Sequence, residues 1–205
     1  QLVWLGLALI IALGFFLRSY HFTDWLHFEL DQARDARVID AAIEGGPGEL
    51  PLLGPKAGGT FLRLGPAFYY LQYASALVFG GTPAGMTVIV FIASVASIGV
   101  FFLLARRLFP DWLALFLTLG FSVSEYFVMY GRFAWNPNML PFFILLGIYA
   151  LIRSVGGGER NPGRWFLVAI LAFGIGTQLH FLAVLAIPAF VVTSLIIRRP
   201  KFRLR

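Results

Sequence analysis

The run Trp165–Ile197, WFLVAILAFGIGTQLHFLAVLAIPAFVVTSLII, decides how this chain is folded. It holds 33 residues, and Gln178 and His180 are the strongest interruptions of its apolar character. As one helix at ~1.5 Å per residue it would extend about 50 Å, far beyond the ~30 Å hydrocarbon core of a bilayer. It would also put Arg160 and Arg164 on the opposite side from Arg198 and Arg199. Two short helices turning near Gln178–Phe181 return both basic groups to one side, so the sequence predicts a hairpin.

That hairpin orients the rest. Arg106, Arg107, Arg153, Arg160, Arg164 and the tail Arg198–Arg205 then share one face, which the positive-inside rule makes cytoplasmic. Leu2–Leu17 is the first apolar span, followed by Ala84–Ala105, Trp112–Met129 and Met139–Ile152. With the hairpin this predicts about six spans, an all-α polytopic membrane bundle. Arg18-Ser-Tyr-His stands where a cleaved leader would need small residues, so the first span is retained. Gln1 begins almost inside that span and the chain ends soon after another apolar run. Residues 1–205 are therefore expected to be one module of a longer chain.

Residues 18–65 form a long polar connection, the first outer loop. Pro66–Phe79 is apolar but only 14 residues long, roughly 21 Å as a helix. It carries Tyr69, Tyr70, Gln72 and Tyr73, which suit an interface. The expectation is a helix lying flat or re-entrant at the outer face.

Composition agrees with a membrane protein. Hydrophobic residues make up 59% of the chain and charged ones 13%, against roughly 25% charged in soluble domains. The basic excess, 16 against 10, is concentrated in the tail beside an apolar run and indicates membrane anchoring, with no nucleic acid partner. There is no cysteine, which excludes disulfides, thiolate metal sites and cysteine nucleophiles.

Against this lipid-compatible background stands His27–Ile43, HFELDQARDARVIDAAI, with Glu29, Asp31, Asp35 and Asp40. Asp31–Glu44 has helical composition and is stopped by Gly45-Gly46-Pro47. Asp31 and Asp35, four apart, share a helix face. Val38, Ile39, Ala42 and Ile43 offer an apolar side for the membrane or for neighbouring spans.

Under this topology the outer face gathers that helix with Lys56, Arg63, Arg132, Asn136, Asn138, Gln178 and His180. Carboxylates able to take a proton then lie beside donors able to hold a phosphate. Glu125, inside a span near its outer end, is a functional candidate or a partner of Arg132. Plainer roles exist for each. Asp31 and Asp35 can cap and solvate a surface helix, and Arg132 can anchor a span end. Gln178 and His180 can satisfy the open backbone of the turn, and the tyrosines can form an interface belt. Asp31 and Asp35 also leave open a divalent ion, magnesium or manganese. The competing class is a transporter or lipid-flipping protein, which places its site at the midplane on broken helices, often with internal repeats. Here the charges cluster at one surface and no repeat is visible.

Five motifs in order, DQARDARVIDAAIEGG, PLLGP, GGTFLRLGPAFYYL, YGRFAWNPNMLP and GTQLHF, resemble the GT-C class of polyprenyl-phosphate-sugar-dependent glycosyltransferases of the family 39 type. Protein O-mannosyltransferases and the lipid A aminoarabinose transferase are relatives in that class. The resemblance covers about residues 1–200. It implies a multi-pass enzyme of the plasma (inner) membrane whose active site faces outside. Its partners would be a polyprenyl-phosphate-linked sugar, a lipid, glycan or protein acceptor, and membrane lipids. By the resemblance, Asp31 matches the loop acid that serves as base or orients the acceptor. Gln32 stands where many members have Glu, which would pass any second carboxylate role to Glu29 or Asp35. Gly65-Pro66-Ala67 replaces a Lys-Pro-Pro, leaving Arg63 or Lys56 for the donor phosphate. Arg132 matches an outer-end arginine, Asn136 and Asn138 match a WNPN form, and Tyr70 belongs to the tyrosine pair before the next span.

Overall fold

The computed structural model describes residues 1–58, 60–156 and 159–198. Among them the chain is all-helical. The helices are α1 (Leu2–Ser19), α2 (Leu30–Gly45), α3 (Ala67–Phe79), α4 (Pro83–Ala105), α5 (Asp111–Val123), α6 (Glu125–Tyr130), α7 (Leu140–Val155), α8 (Pro162–Leu179) and α9 (Phe181–Arg198). Among the described residues the one extended pairing is an antiparallel bridge between Lys56 and Arg63. Three described helices are long and apolar enough to cross a membrane: Leu2–Ser19, Pro83–Ala105 and Asn136–Val155. Two of the other expected crossings, Asp111–Val123 and the apolar part of α9, are shorter.

The hairpin forms as expected. His180 alone separates α8 from α9, in extended backbone at φ −160° and ψ 143°. α9 then folds back: a methyl group placed on Gly176 would lie 3.9 Å from Ile187 Cδ1. Ala169 and Phe173 of α8 share a core with Ala183 and Ile187 of α9 and with Ala150 and Leu151 of α7.

The basic end is also as expected. Glu159 pairs with Arg153 at 2.5 Å and with Arg107 at 3.4 Å, drawing two inter-helix segments to one end. Trp4 meets Phe102 edge-on there, so α1 starts beside the end of α4. The tail beyond Arg198 lies outside the described residues. At the opposite end the first loop, the residue 131–139 segment and the α8–α9 turn meet.

Two expectations take a more definite form. Pro66–Phe79, expected flat or re-entrant, forms α3, which runs antiparallel to the first half of α4. Ser75 Oγ donates to Gly85 O (2.6 Å) and accepts from Ile89 N–H (3.1 Å), taking up a carbonyl and an amide four residues apart on α4. Such an insertion holds two helices side by side. Trp112–Met129, expected as one span, is not one continuous helix, because the chain breaks at Ser124, with ψ 122°. A break leaves carbonyls of the last helical turn without amide partners. Ser122 O finds one in Arg18, whose Nη1 donates to it (2.9 Å) and to Gly14 O (3.0 Å) while Nε donates to Ser94 Oγ (2.8 Å). Arg18 is fully buried. Gly14 makes the approach possible, since a Cβ there would collide with Ile98 Cδ1 and Ser122 Oγ.

The first outer helix is seated by its apolar side. Ile39 and Ala42 are completely buried with Tyr69 and Ala76 of α3 and Met86 of α4. Burying a side chain such as Ile39 stabilises by about 2 kcal/mol, and a charge at that position would lift α2 from its seat. A second core, with Phe68, Val90, Ala93, Ala134, Met139 and Leu179, lies where α3, α4, α7 and α8 meet the residue 131–139 segment.

Candidate functional site

The start of α2 is fixed by Gln32. Its Oε1 accepts from Glu29 N–H (3.0 Å), satisfying an amide at the helix N-terminus. Its Nε2 donates to Ala134 O (3.0 Å) in the segment between α6 and α7. Gln32 is 5% exposed, so both ends of its amide serve the fold. A carboxylate at this position could supply the acceptor but, when ionised, not the donor. That is a physical reason for Gln where the resemblance expects Glu.

Asp31, beside it, is half exposed. Its Oδ1 accepts from Arg34 Nη1 at 2.7 Å and its Oδ2 from Trp135 Nε1 at 3.1 Å. Asp35, on the same helix face as predicted, is fully buried. Its Oδ1 accepts from Arg34 Nε (2.8 Å) and Nη2 (2.7 Å), and its Oδ2 is buried without a partner. Burial raises the Asp35 carboxyl from 3.8 to about 6, against the opposing pull of Arg34.

Asp31, Glu29 and Gln32 line a cleft of about 970 Å³. Trp25, His27, Tyr130, Phe133 and Trp135 supply aromatic surface, and Asp24, Glu125 and Arg132 complete its polar lining. Trp135 stacks near Phe133 (6.2 Å) and Tyr130 (6.5 Å), so its indole is held in place by its neighbours. Glu29 is exposed, with His27 Nε2 at 3.6 Å.

Arg132 lines the cleft but is committed to the end of α1. Its Nη2 donates to Tyr20 O (2.6 Å) and His21 O (2.8 Å), its Nη1 reaches Leu17 O (3.5 Å), and its guanidinium lies 4.9 Å from the Trp25 ring centre. Its Nε is buried without a partner, and burial lowers its pKa. Among the described residues its partners are carbonyls, and Glu125 makes no ion pair with it.

The other predicted residues fall outside the cleft lining. Lys56 and Arg63 face each other across the hairpin of the first loop, and Arg63 Nη1 donates to Gly54 O at 3.3 Å. Gln178 O accepts from Gly65 N–H (3.1 Å), which joins that hairpin to the α8–α9 turn. His180 Nδ1 accepts from Leu182 N–H (3.2 Å) at the start of α9. Asn138 Nδ2 donates to Phe133 O (3.0 Å), while Asn136 is buried with its Nδ2 unpartnered. Tyr70 is 40% exposed.

A metal does not fit Asp31 and Asp35. The Arg34 guanidinium bridges the two carboxylates, and among the described residues no group of three or more His, Asp or Glu could hold an ion. Trp25, Tyr130 and above all Trp135 were not expected in the site; the aromatic density of YGRFAW signals only the last two, and an interface belt would equally produce it.

The profile of the family described as "Dolichyl-phosphate-mannose-protein mannosyltransferase" matches residues 64–205. A Bacillus subtilis (strain 168) protein bearing the name "Putative mannosyltransferase YkcB" is 27% identical over 132 residues, 64% of this chain. The chain spans 18% of that relative's length. No solved structure matches the chain. The acidic helix α2 precedes the matched segment and is joined to it through Trp135 and Ala134.

Proposed function

Because the chain belongs to the dolichyl-phosphate-mannose-protein mannosyltransferase family, we propose that it is a GT-C-type glycosyltransferase module. It moves a sugar from a polyprenyl phosphate to a hydroxyl on a lipid, glycan or protein acceptor. The observation carrying this reading is Asp31, half exposed in a cleft of about 970 Å³ with each oxygen oriented by one donor.

The reaction follows from that geometry. The acceptor hydroxyl oxygen attacks the sugar's anomeric carbon while its proton passes to Asp31. The bond from that carbon to the phosphate oxygen breaks, and polyprenyl phosphate leaves with the electron pair. Trp25, Tyr130 and Trp135 present rings whose apolar faces suit sugar C–H groups, and the acidic lining suits hydroxyls. The departing phosphate needs cationic stabilisation. Arg132 has spent most of its donors on carbonyls, so Lys56 and Arg63 are the better candidates, with Gln178 and His180 in the adjoining turn. We place this cleft outside the cytoplasm of a plasma membrane, in a bundle of about six crossings, because the opposite end carries Arg106, Arg107 and Arg153.

The test uses membranes containing the complete natural chain and a panel of labelled polyprenyl-phosphate sugars. Sugar transfer or release above chain-free membranes is the expected result. Movement of the intact lipid across the bilayer without any transfer would replace this reading by the transporter class.

A further inference from the structure

We propose that Asp35 is a positioning residue for Asp31, acting through the single Arg34 guanidinium that the two carboxylates share. The proposal rests on the reading of Asp31 as proton acceptor and adds a means of setting its strength.

Asp35 takes the Nε and Nη2 edge of Arg34 on one oxygen, which leaves Nη1 pointing to Asp31. It lies on α2 behind the cleft and is not among the groups lining it. Contact with substrate is therefore not its role. Its influence reaches the cleft through Arg34, whose side chain is 38% exposed. While Asp35 is ionised, the guanidinium charge is divided between two carboxylates, and Asp31 retains the electron density that a proton acceptor needs. A proton from solvent settling on Asp35 Oδ2, the oxygen with no partner, neutralises one of them. The whole guanidinium charge then faces Asp31, which becomes a poorer acceptor. The other groups facing Asp35 are Asp31 on its own helix and Tyr69 of α3, and Arg63 of the hairpin acts on Tyr69 in turn. Burial places the Asp35 transition at about 6, so the device works in mildly acidic surroundings.

Trp135 reports on it directly, because its indole N–H is bound to Asp31. The complete natural chain is labelled with 5-fluorotryptophan, and the Trp135 resonance is assigned by its loss in Trp135→Phe. The titration is run in a His27→Gln background, which removes the imidazole of the cleft. The expected result is a shift of the Trp135 fluorine resonance with a midpoint near 6, absent in Asp35→Asn and restored in Asp35→Glu. Transfer at pH 7.5 is expected to fall by up to about tenfold in Asp35→Asn and to lose its acid limb near pH 6. A resonance that does not move through pH 6, or one that moves equally in Asp35→Asn, overturns the proposal. The fluorine signal needs no turnover, so a chain inactive toward every donor would discredit the glycosyltransferase reading while leaving the Asp35 link to be judged on its own.

Discussion

Trp135 Nε1–H donates to Asp31 Oδ2 across 3.1 Å, joining residues 104 positions apart. One position along on each segment, Gln32 donates to Ala134 O. These two bonds clasp the acidic helix to the segment between α6 and α7, and they determine where the Asp31 carboxylate sits in the cleft.

Removing the indole donor should cost activity without unfolding the chain. In Trp135→Phe one aromatic ring is kept for the stack, while the N–H and the indole's second ring are lost. A hydrogen bond to a charged group is worth ~1.5–3 kcal/mol, so the melting temperature is expected to fall modestly while transfer drops about tenfold or more because Asp31 loses the donor that orients it. Parallel rate and melting measurements on the purified complete chain check this, and an unchanged rate would remove Trp135 from the site.

Gln32→Glu is expected to damage this protein although it moves the motif toward the resembled family. The change takes away the donor to Ala134 O and adds a negative charge beside Asp31 and near the buried Asp35. Leaving a buried carbonyl unpartnered costs ~1–3 kcal/mol. A lowered melting temperature is the expected reading, with Gln32→Met as the uncharged comparison.

Arg18 holds the break between α5 and α6 by donating to Ser122 O, and it ties that break to Gly14 and Ser94. Arg18→Ala leaves both a void and an orphaned carbonyl, for a combined loss of about 2–4 kcal/mol. Thermal unfolding in detergent should register a large drop. An unaltered melting temperature would show that the break stands without Arg18.

Asp35 makes stability depend on pH in a direction opposite to that of an ordinary paired carboxylate. Its folded value, about 6, lies above the usual 3.8, so folding favours the protonated form. The associated stability is fully present below about 3.8 and is lost as pH rises through about 6. The loss amounts to roughly 3 kcal/mol. Asp35→Asn does not ionise, so it should melt above the wild type at pH 8, and that advantage should shrink to nothing by pH 4. Melting curves of the two proteins across that range measure the difference directly. A variant that is more stable yet slower in transfer would match a strained functional group retained for activity.

The parts of this structure legible in the sequence were those set by length and local pattern. The Trp165–Ile197 run was too long for one crossing, and the chain does turn at His180. α2 was bounded by its composition and by Gly45-Gly46-Pro47, and Ile39 and Ala42 do face its seat. The break at Ser124 was not legible, because its carbonyl partner, Arg18, comes from 104 residues earlier. Nor was the placement of α3, which depends on Ser75 reaching Gly85 and Ile89. In the site, helical spacing put Asp31 and Asp35 on one face. It did not separate the half-exposed carboxylate from the buried one, since burial came from the packing of α2 on α3. Arg132 illustrates the same limit: its position at the outer end was readable, but its commitment to the carbonyls of Leu17, Tyr20 and His21 was not.

The proposed transfer depends most on Asp31 as the group that takes the acceptor's proton. Sugar transfer from labelled polyprenyl-phosphate sugars, measured for the complete natural chain and its Asp31→Asn variant at matched expression and matched melting temperature, tests that claim most directly. Loss of a general base typically removes ~10²–10⁴-fold of the rate, and a fall of at least a hundredfold is the result expected here. Transfer by Asp31→Asn within a few-fold of the wild type would contradict the account and move the proton acceptor to another carboxylate of the cleft.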